Sequence, residues 1–225
     1  MIKTIKYDNK DSLFFCSDLH HCHSRDFVLE PRGYKTAQEA EEGLVFTWNS
    51  QVDADATVYH LGDIVVGARP NGLEALESLL DRLKFKEIYL MSGNHPSGWN
   101  KLYEKCFNTD GLAEIDGYGR ATLEYKGRKI HFIPNYYEII IGHKLIVLSH
   151  YPISSWNKVG KGSFMLHGHC HNNYKEGQYQ SKNGKILDIG VESALSYSKR
   201  EKSLFSYEDV LHIMNTKNIV QVDHH

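Results

Sequence analysis

Five apolar runs in this chain each stop at a short cluster of acid, amide or histidine residues, and this punctuation constrains the fold more than any other feature. Residues 13–17 run into Asp18-Leu19-His20, residues 56–61 into Gly62-Asp63, and residues 85–91 into Ser92-Gly93-Asn94-His95. Further on, residues 144–149 precede His150, and residues 163–167 precede Gly168-His169-Cys170-His171. Short runs rich in β-branched and aromatic residues, closed by glycine or polar residues, read as buried strands.

Between the first two runs, Ala37, Ala40, Leu44, Val45, Trp48 and Val52 recur at helical spacing, and residues 71–83 are likewise amphipathic. Strand, helix, strand, helix, strand predicts a parallel sheet with crossovers. The chain then turns mostly to strands, at residues 121–125, 129–132 and 185–189 besides the two ending at His150 and Gly168, with Gly127 placed for a hairpin turn. A last helix is expected over 207–214, with Ser206 as its N-cap and Asp209 three residues on. No repeat or linker interrupts the 225 residues, so one α/β domain is expected over 1–221, with 222–225 read as the start of a purification tag.

In parallel α/β sheets ligands gather beyond the carboxyl ends of the strands, so the five clusters are expected to meet on one face. Alternation along an extended segment puts Asp18 and His20 on one side, and His169 and His171 on one side with Cys170 opposite. Two acids, an amide and several imidazoles form an oxygen and nitrogen shell suited to Mn²⁺, Fe, Zn²⁺ or Ni²⁺. The 14 histidines exceed what packing asks for and point the same way.

Composition excludes other classes. With 28 acidic against 26 basic residues the net charge is -2, so the broad basic footprint of a general nucleic-acid binder is missing. Mean hydropathy is -0.47 and no apolar run approaches the roughly 18 residues of a spanning helix, so no membrane association is expected. The N-terminus lacks an apolar signal core, and the four cysteines show no C-x-x-C spacing, which together predict a cytoplasmic protein with reduced thiols.

Taken as a set, Asp18-x-His20, Gly62-Asp63, Gly93-Asn94-His95, His150 and Gly168-His169-x-His171 resemble the motifs of the calcineurin-like metallophosphoesterase superfamily, and more narrowly its small bacterial and phage members. The resemblance implies an αββα sandwich of two packed mixed β-sheets flanked by helices. It implies two divalent metal ions, Mn²⁺ foremost, one held by Asp18, His20, Asp63 and His171 and the other by Asp63, Asn94, His150 and His169. A metal-bridging hydroxide would attack phosphorus in line, and His95 would protonate the leaving oxygen or stabilise its charge. Where an acidic residue commonly follows this histidine, the chain has Pro96.

The function expected is hydrolysis of a phosphomonoester or phosphodiester, with a small phosphate ester or nucleotide as substrate and a nucleic-acid end as a further option. The alternative is a metal-binding scaffold or interaction subunit with little turnover on the same fold. His23 and Arg25 are the candidate substrate contacts, and Arg69, Lys158 and Lys161 are loop cations that read first as solvated charge. His60 and His167, inside predicted strands, read as core histidines; Trp99 and Trp156 read first as packing residues.

Overall fold

The computed structural model describes residues 3–5, 12–68, 70–108, 115–117 and 119–221. Arg69 and the suggested tag residues 222–225 lie outside these. In chain order the elements are β1 (Lys3–Ile5), β2 (Leu13–Cys16), α1 (Asp26–Arg32), α2 (Ala37–Gln51), β3 (Thr57–His60), α3 (Gly72–Arg82), β4 (Glu87–Leu90), α4 (Trp99–Asn108), β5 (Ala121–Tyr125), β6 (Arg128–Phe132), β7 (Tyr136–Ile141), β8 (Lys144–Ser149), β9 (Phe164–His167), β10 (Ile186–Asp188), α5 (Val191–Tyr197), β11 (Phe205–Ser206) and α6 (Tyr207–Thr216).

These strands form two mixed sheets flanked by helices. The first has the order β11-β2-β3-β4-β6-β5, parallel through β2, β3, β4 and β6 with antiparallel edges; the second has the order β1-β7-β8-β9-β10, antiparallel only between β7 and β8. Because side chains alternate along a strand, the central strands bury both faces. Leu13, Phe15, Tyr59, Leu61, Tyr89 and Met91 face the second sheet and meet Ile139, Ile146, Leu148, Phe164 and Leu166. Phe14, Cys16, Val58, Ile88 and Leu90 face α2 and α3 through Leu44, Trp48, Leu76 and Leu79. Strands buried on both faces read as continuous apolar runs, which explains the sequence pattern.

Local signals set the ends of several elements. Thr36 caps α2 by accepting from the Glu39 N–H, and Ser206 with Asp209 forms a reciprocal capping box on α6. The β5–β6 hairpin turns through Lys126 and Gly127, both at positive φ, as a tight two-residue turn requires. The helical flanking is uneven. α2, α3 and α4 pack on the outer side of the first sheet, whereas Trp156 and Val159, from a loop and a 3₁₀ turn, pack on Val147, Met165 and Ile186 of the second. α6 instead sends Tyr207, Val210, Ile213 and Met214 into the core between the sheets. No helix among the described residues is long and apolar enough to cross a membrane.

Candidate metal centre

The ends of β2, β3 and β4 belong to the first sheet, and those of β8 and β9 to the second. Packing the sheets face to face therefore brings carboxylates and an amide from one sheet against imidazoles from the other. Asp63 sits between them. Its Oδ2 lies 3.6 Å from His20 Nε2 and 3.7 Å from His150 Nε2, while its Oδ1 accepts the His95 N–H at 2.8 Å. On one side, ligand atoms of Asp18, His20 and His171 lie within 4.8 Å of one another; on the other, Asn94 Oδ1 lies 2.8 Å from His150 Nε2 and 2.9 Å from His169 Nδ1. All seven residues expected as ligands thus meet at one place.

The route to this convergence differs from the alternation expected of extended chain. Asp18, His20, Asp63, His169 and His171 all have left-handed backbone, with φ of 55°, 52°, 56°, 68° and 47°. Tight turns at the strand ends, not pleating, aim these side chains, and Cys170 stays outside the clusters for the same reason. Hydrogen bonds between loops hold the conformation: the Asp18 N–H donates to the Gly62 carbonyl and the His20 N–H to the Asp63 carbonyl, each at 3.0 Å. Backbone strain of this kind concentrates at sites that use the geometry. Gly93, at φ 70°, is required for space as well, because a Cβ there would collide with the Asp63 carboxylate.

The electrostatics of the cradle bear on what it could hold. Asp18 is fully buried, and burial pushes its carboxyl up to about 8 against the pull of His171; one oxygen accepts the His169 N–H, and Oδ1 has no hydrogen-bond partner. Burial would raise Asp63 too, but His20, the His95 N–H and His150 bring it down to about 2. Burial lowers His20 to about 4, and its Nε2, facing both acids, also lacks a hydrogen-bond partner. His150 is lowered by burial as well, and since its Nδ1 donates to the Leu61 carbonyl at 2.8 Å, its Nε2 presents a lone pair toward Asn94 Oδ1. Buried acceptors facing one another without a proton between them are costly unless a cation satisfies them. The residues therefore fit a pair of divalent ions.

Two functional residues escaped the sequence reading. Arg32 is buried in the last turn of α1 and donates to the Asp18 carbonyl, to the Leu19 carbonyl and to Glu192 Oε1, each at 2.7 Å. Glu192 Oε1 lies 3.1 Å from His171 Nδ1, so it holds the ring by that nitrogen. Burial works against the Glu192 charge, yet Arg32 and His171 hold its carboxyl down at about 2. A carboxylate behind a ligand histidine fixes its ring and tautomer. A sixth strand-end cluster, β10 followed by Gly190-Val191-Glu192, was the signal available for Glu192; Arg32 had none.

The remaining candidates divide. His23 Nδ1 lies 3.0 Å from His20 Nδ1 and its ring stacks on His20, which makes it a support of the cradle rather than a free substrate contact. Arg25 is exposed at the start of α1, and its side chain has no hydrogen bond or ion pair among the described residues. His95 is exposed at the mouth, its ring 5.9 Å from that of His20, beside a cleft of about 280 Å³ lined by Asn94, Pro96, Ser97 and Lys101. His60 and His167 are fully buried as core residues, and Trp156 and Trp99 pack, the latter stacked on Tyr103. All four cysteines are free. Tyr151, unremarked in the sequence, stands edge-on to His169 at 4.5 Å.

Fold and site together define a two-sheet α/β protein with a histidine and carboxylate cradle at its strand ends. No protein-family model matches the chain. The Gene 66 protein of Mycobacterium phage L5 is 28% identical over 169 residues, covering 70% of this chain and 76% of that protein. An uncharacterized protein of Methanocaldococcus jannaschii is 26% identical over 179 residues, covering 80% of each. Among solved structures, a protein of unknown function from Aquifex aeolicus superposes with a TM-score of 0.53 at 17% identity, over 89% of this chain and 98% of that one, a likeness of fold alone.

Proposed function

We propose that this chain is a dinuclear metal-dependent phosphoesterase of the calcineurin-like type, acting on a phosphomonoester or phosphodiester. The observation that carries the reading is the cradle of mutually facing acceptors centred on Asp63, with Asp18, His20, Asp63 and His150 buried. Asp18, His20, Asp63 and His171 would hold one cation and Asp63, Asn94, His150 and His169 the other, with Mn²⁺ the first choice and Fe, Zn²⁺ or Ni²⁺ alternatives. Such a pair supplies charge neutralisation for phosphoryl oxygens and a nucleophile at neutral pH.

The chain's own residues supply positioning and a proton. The His95 N–H bond to Asp63 Oδ1 fixes the backbone of the proton donor to the central ligand, so the imidazole stands at the edge of the cradle where a leaving oxygen departs. Pro96 replaces the customary acid, and no carboxylate orients the His95 ring among the described residues. The ring is left to the cleft, where a bound substrate completes its alignment. That unbraced ring is also what favours the second reading, a metal-binding subunit with little turnover.

Metal analysis followed by turnover of generic phosphomonoesters and phosphodiesters with Mn²⁺ tests the proposal. The expected result is two metals per chain that depend on the cradle residues, and hydrolysis that Asp63→Asn abolishes. Less than one metal per chain, with no hydrolysis under any of the four cations, rejects it.

A further inference from the structure

A second set of metal-ligand side chains lies on the back of the loop that supplies Asp18 and His20. His21, Cys22 and Glu41 offer an imidazole nitrogen, a thiol sulfur and a carboxylate oxygen within 4.8 Å of one another, and share no residue with the cradle. Neighbours in sequence, His20 and His21 belong to opposite clusters. The former faces Asp18 and Asp63, and the latter faces the helix carrying Glu41. We propose that His21, Cys22 and Glu41 bind a single divalent cation of the zinc class, with water in the fourth position, tying the ligand loop to α2.

The backbone beneath these ligands is already fixed. His21 forms a parallel bridge with Val65, its N–H donating to the Ile64 carbonyl at 3.0 Å and its carbonyl accepting the Val66 N–H at 2.9 Å. Glu41 follows the buried Ala40 on α2, a helix capped by Thr36 and anchored in the core by Leu44, Val45 and Trp48. The ligand atoms of Cys22 and Glu41 already lie within 4.8 Å of each other, so the two side chains face one another. Bonds of about 2.0–2.3 Å to one zinc place tetrahedral ligand atoms roughly 3.3–3.8 Å apart. Closing from 4.8 Å requires about 1 Å of side-chain movement, within the reach of χ rotations at two half-buried residues.

Donor chemistry selects the ion. One thiolate, one imidazole and one carboxylate form a borderline-soft set that favours zinc over manganese or magnesium. Arg82, the cation that acts on His21, is itself bound to Glu42 at 2.7 Å, and no ion pair engages Glu41 among the described residues. Half-exposure of Cys22 and Glu41 leaves a path for the ion and its water.

Cobalt titration of the full chain gives a readout independent of hydrolysis. A thiolate-to-cobalt charge-transfer band in the near ultraviolet reports Cys22, and the oxygen and nitrogen cradle has no sulfur with which to produce it. Cys22→Ser is expected to abolish the band and remove one zinc per chain, while Cys170→Ser keeps both. Glu41→Gln and His21→Ala are expected to weaken zinc at this site by more than about tenfold, since even an outer partner is worth that much. In the unmodified chain, zinc should slow alkylation of Cys22, located by peptide mapping, which avoids any dependence on a variant folding. A wild-type chain without the band, a band that survives Cys22→Ser, or alkylation of Cys22 indifferent to zinc overturns the assignment. The cradle's two metals and its turnover stand or fall separately.

Discussion

The two halves of the cradle are built differently. The Asp18 half is buried and backed by a chain of charges: His171 is held by Glu192, Glu192 by Arg32, and Arg32 in turn clamps the carbonyls of Asp18 and Leu19. The Asn94 half is open. Asn94 and His169 are exposed, and behind their side chains His150 is anchored on the Leu61 carbonyl. Under the proposed dinuclear reading, a preformed, charge-braced half and a solvent-facing half would fill in order, the Asp18 side first, with a substrate approaching from the Asn94 side.

Asp63 joins the halves, so Asp63→Asn is the largest perturbation available. Both metals should be lost together and turnover should fall to background, beyond the roughly 10–100-fold cost of removing an outer partner. Retention of one metal would mean the halves do not share this ligand. At the mouth of the open half, His95→Ala should lower kcat about 10²–10⁴-fold with metal content intact, the range typical of a positioned general acid; unchanged turnover removes His95 from the chemistry.

Glu192→Gln tests the brace itself. It should weaken the first metal about 10–100-fold and leave the Asn94 half largely unaffected, read by calorimetric titration. Since Arg32 would then be buried without its counter-charge, a lower Tm should accompany it. Equal weakening of both metals would erase the distinction between the halves.

The smallest effect is a pH dependence of the chelated protein. The Asp18 carboxyl sits at about 8 in the fold against an ordinary 3.8, so folding takes up a proton between those values and stability falls as pH rises across that window. Glu192 acts in the opposite sense. Held at about 2 against an ordinary 4.5, it contributes stability above 4.5 that is lost as pH falls toward 2. Thermal melts with and without metal should show this decline with rising pH only in the chelated form; the same decline in metal-loaded protein would mean that the cation does not satisfy Asp18.

Much of this was legible in the chain. The runs that became β2, β3, β4, β8 and β9 announced themselves because strands buried on both faces must be apolar throughout, and the residues after them are the seven that meet in the cradle. α6 was legible from Ser206 and Asp209, whose capping bonds are local. β7 was harder, since Tyr136–Ile141 alternates in burial and is defined by its pairing with β8; α4 buries Leu102 and Cys106 fully and packs Trp99 and Tyr103 against the same core. The outer layer of the second sheet, a loop and a 3₁₀ turn where a helix was expected, left no periodicity to read.

By itself the sequence determined which residues end strands and what donor atoms they carry, because strand formation and turn chemistry act over a few neighbouring residues. Only the tertiary structure decided how those donors are aimed. Left-handed turns replaced the expected alternation, His23 became a partner of His20, and Arg32 met Glu192 across 160 positions of chain. Sequence distance carries no information about such a contact; packing two sheets face to face supplies it.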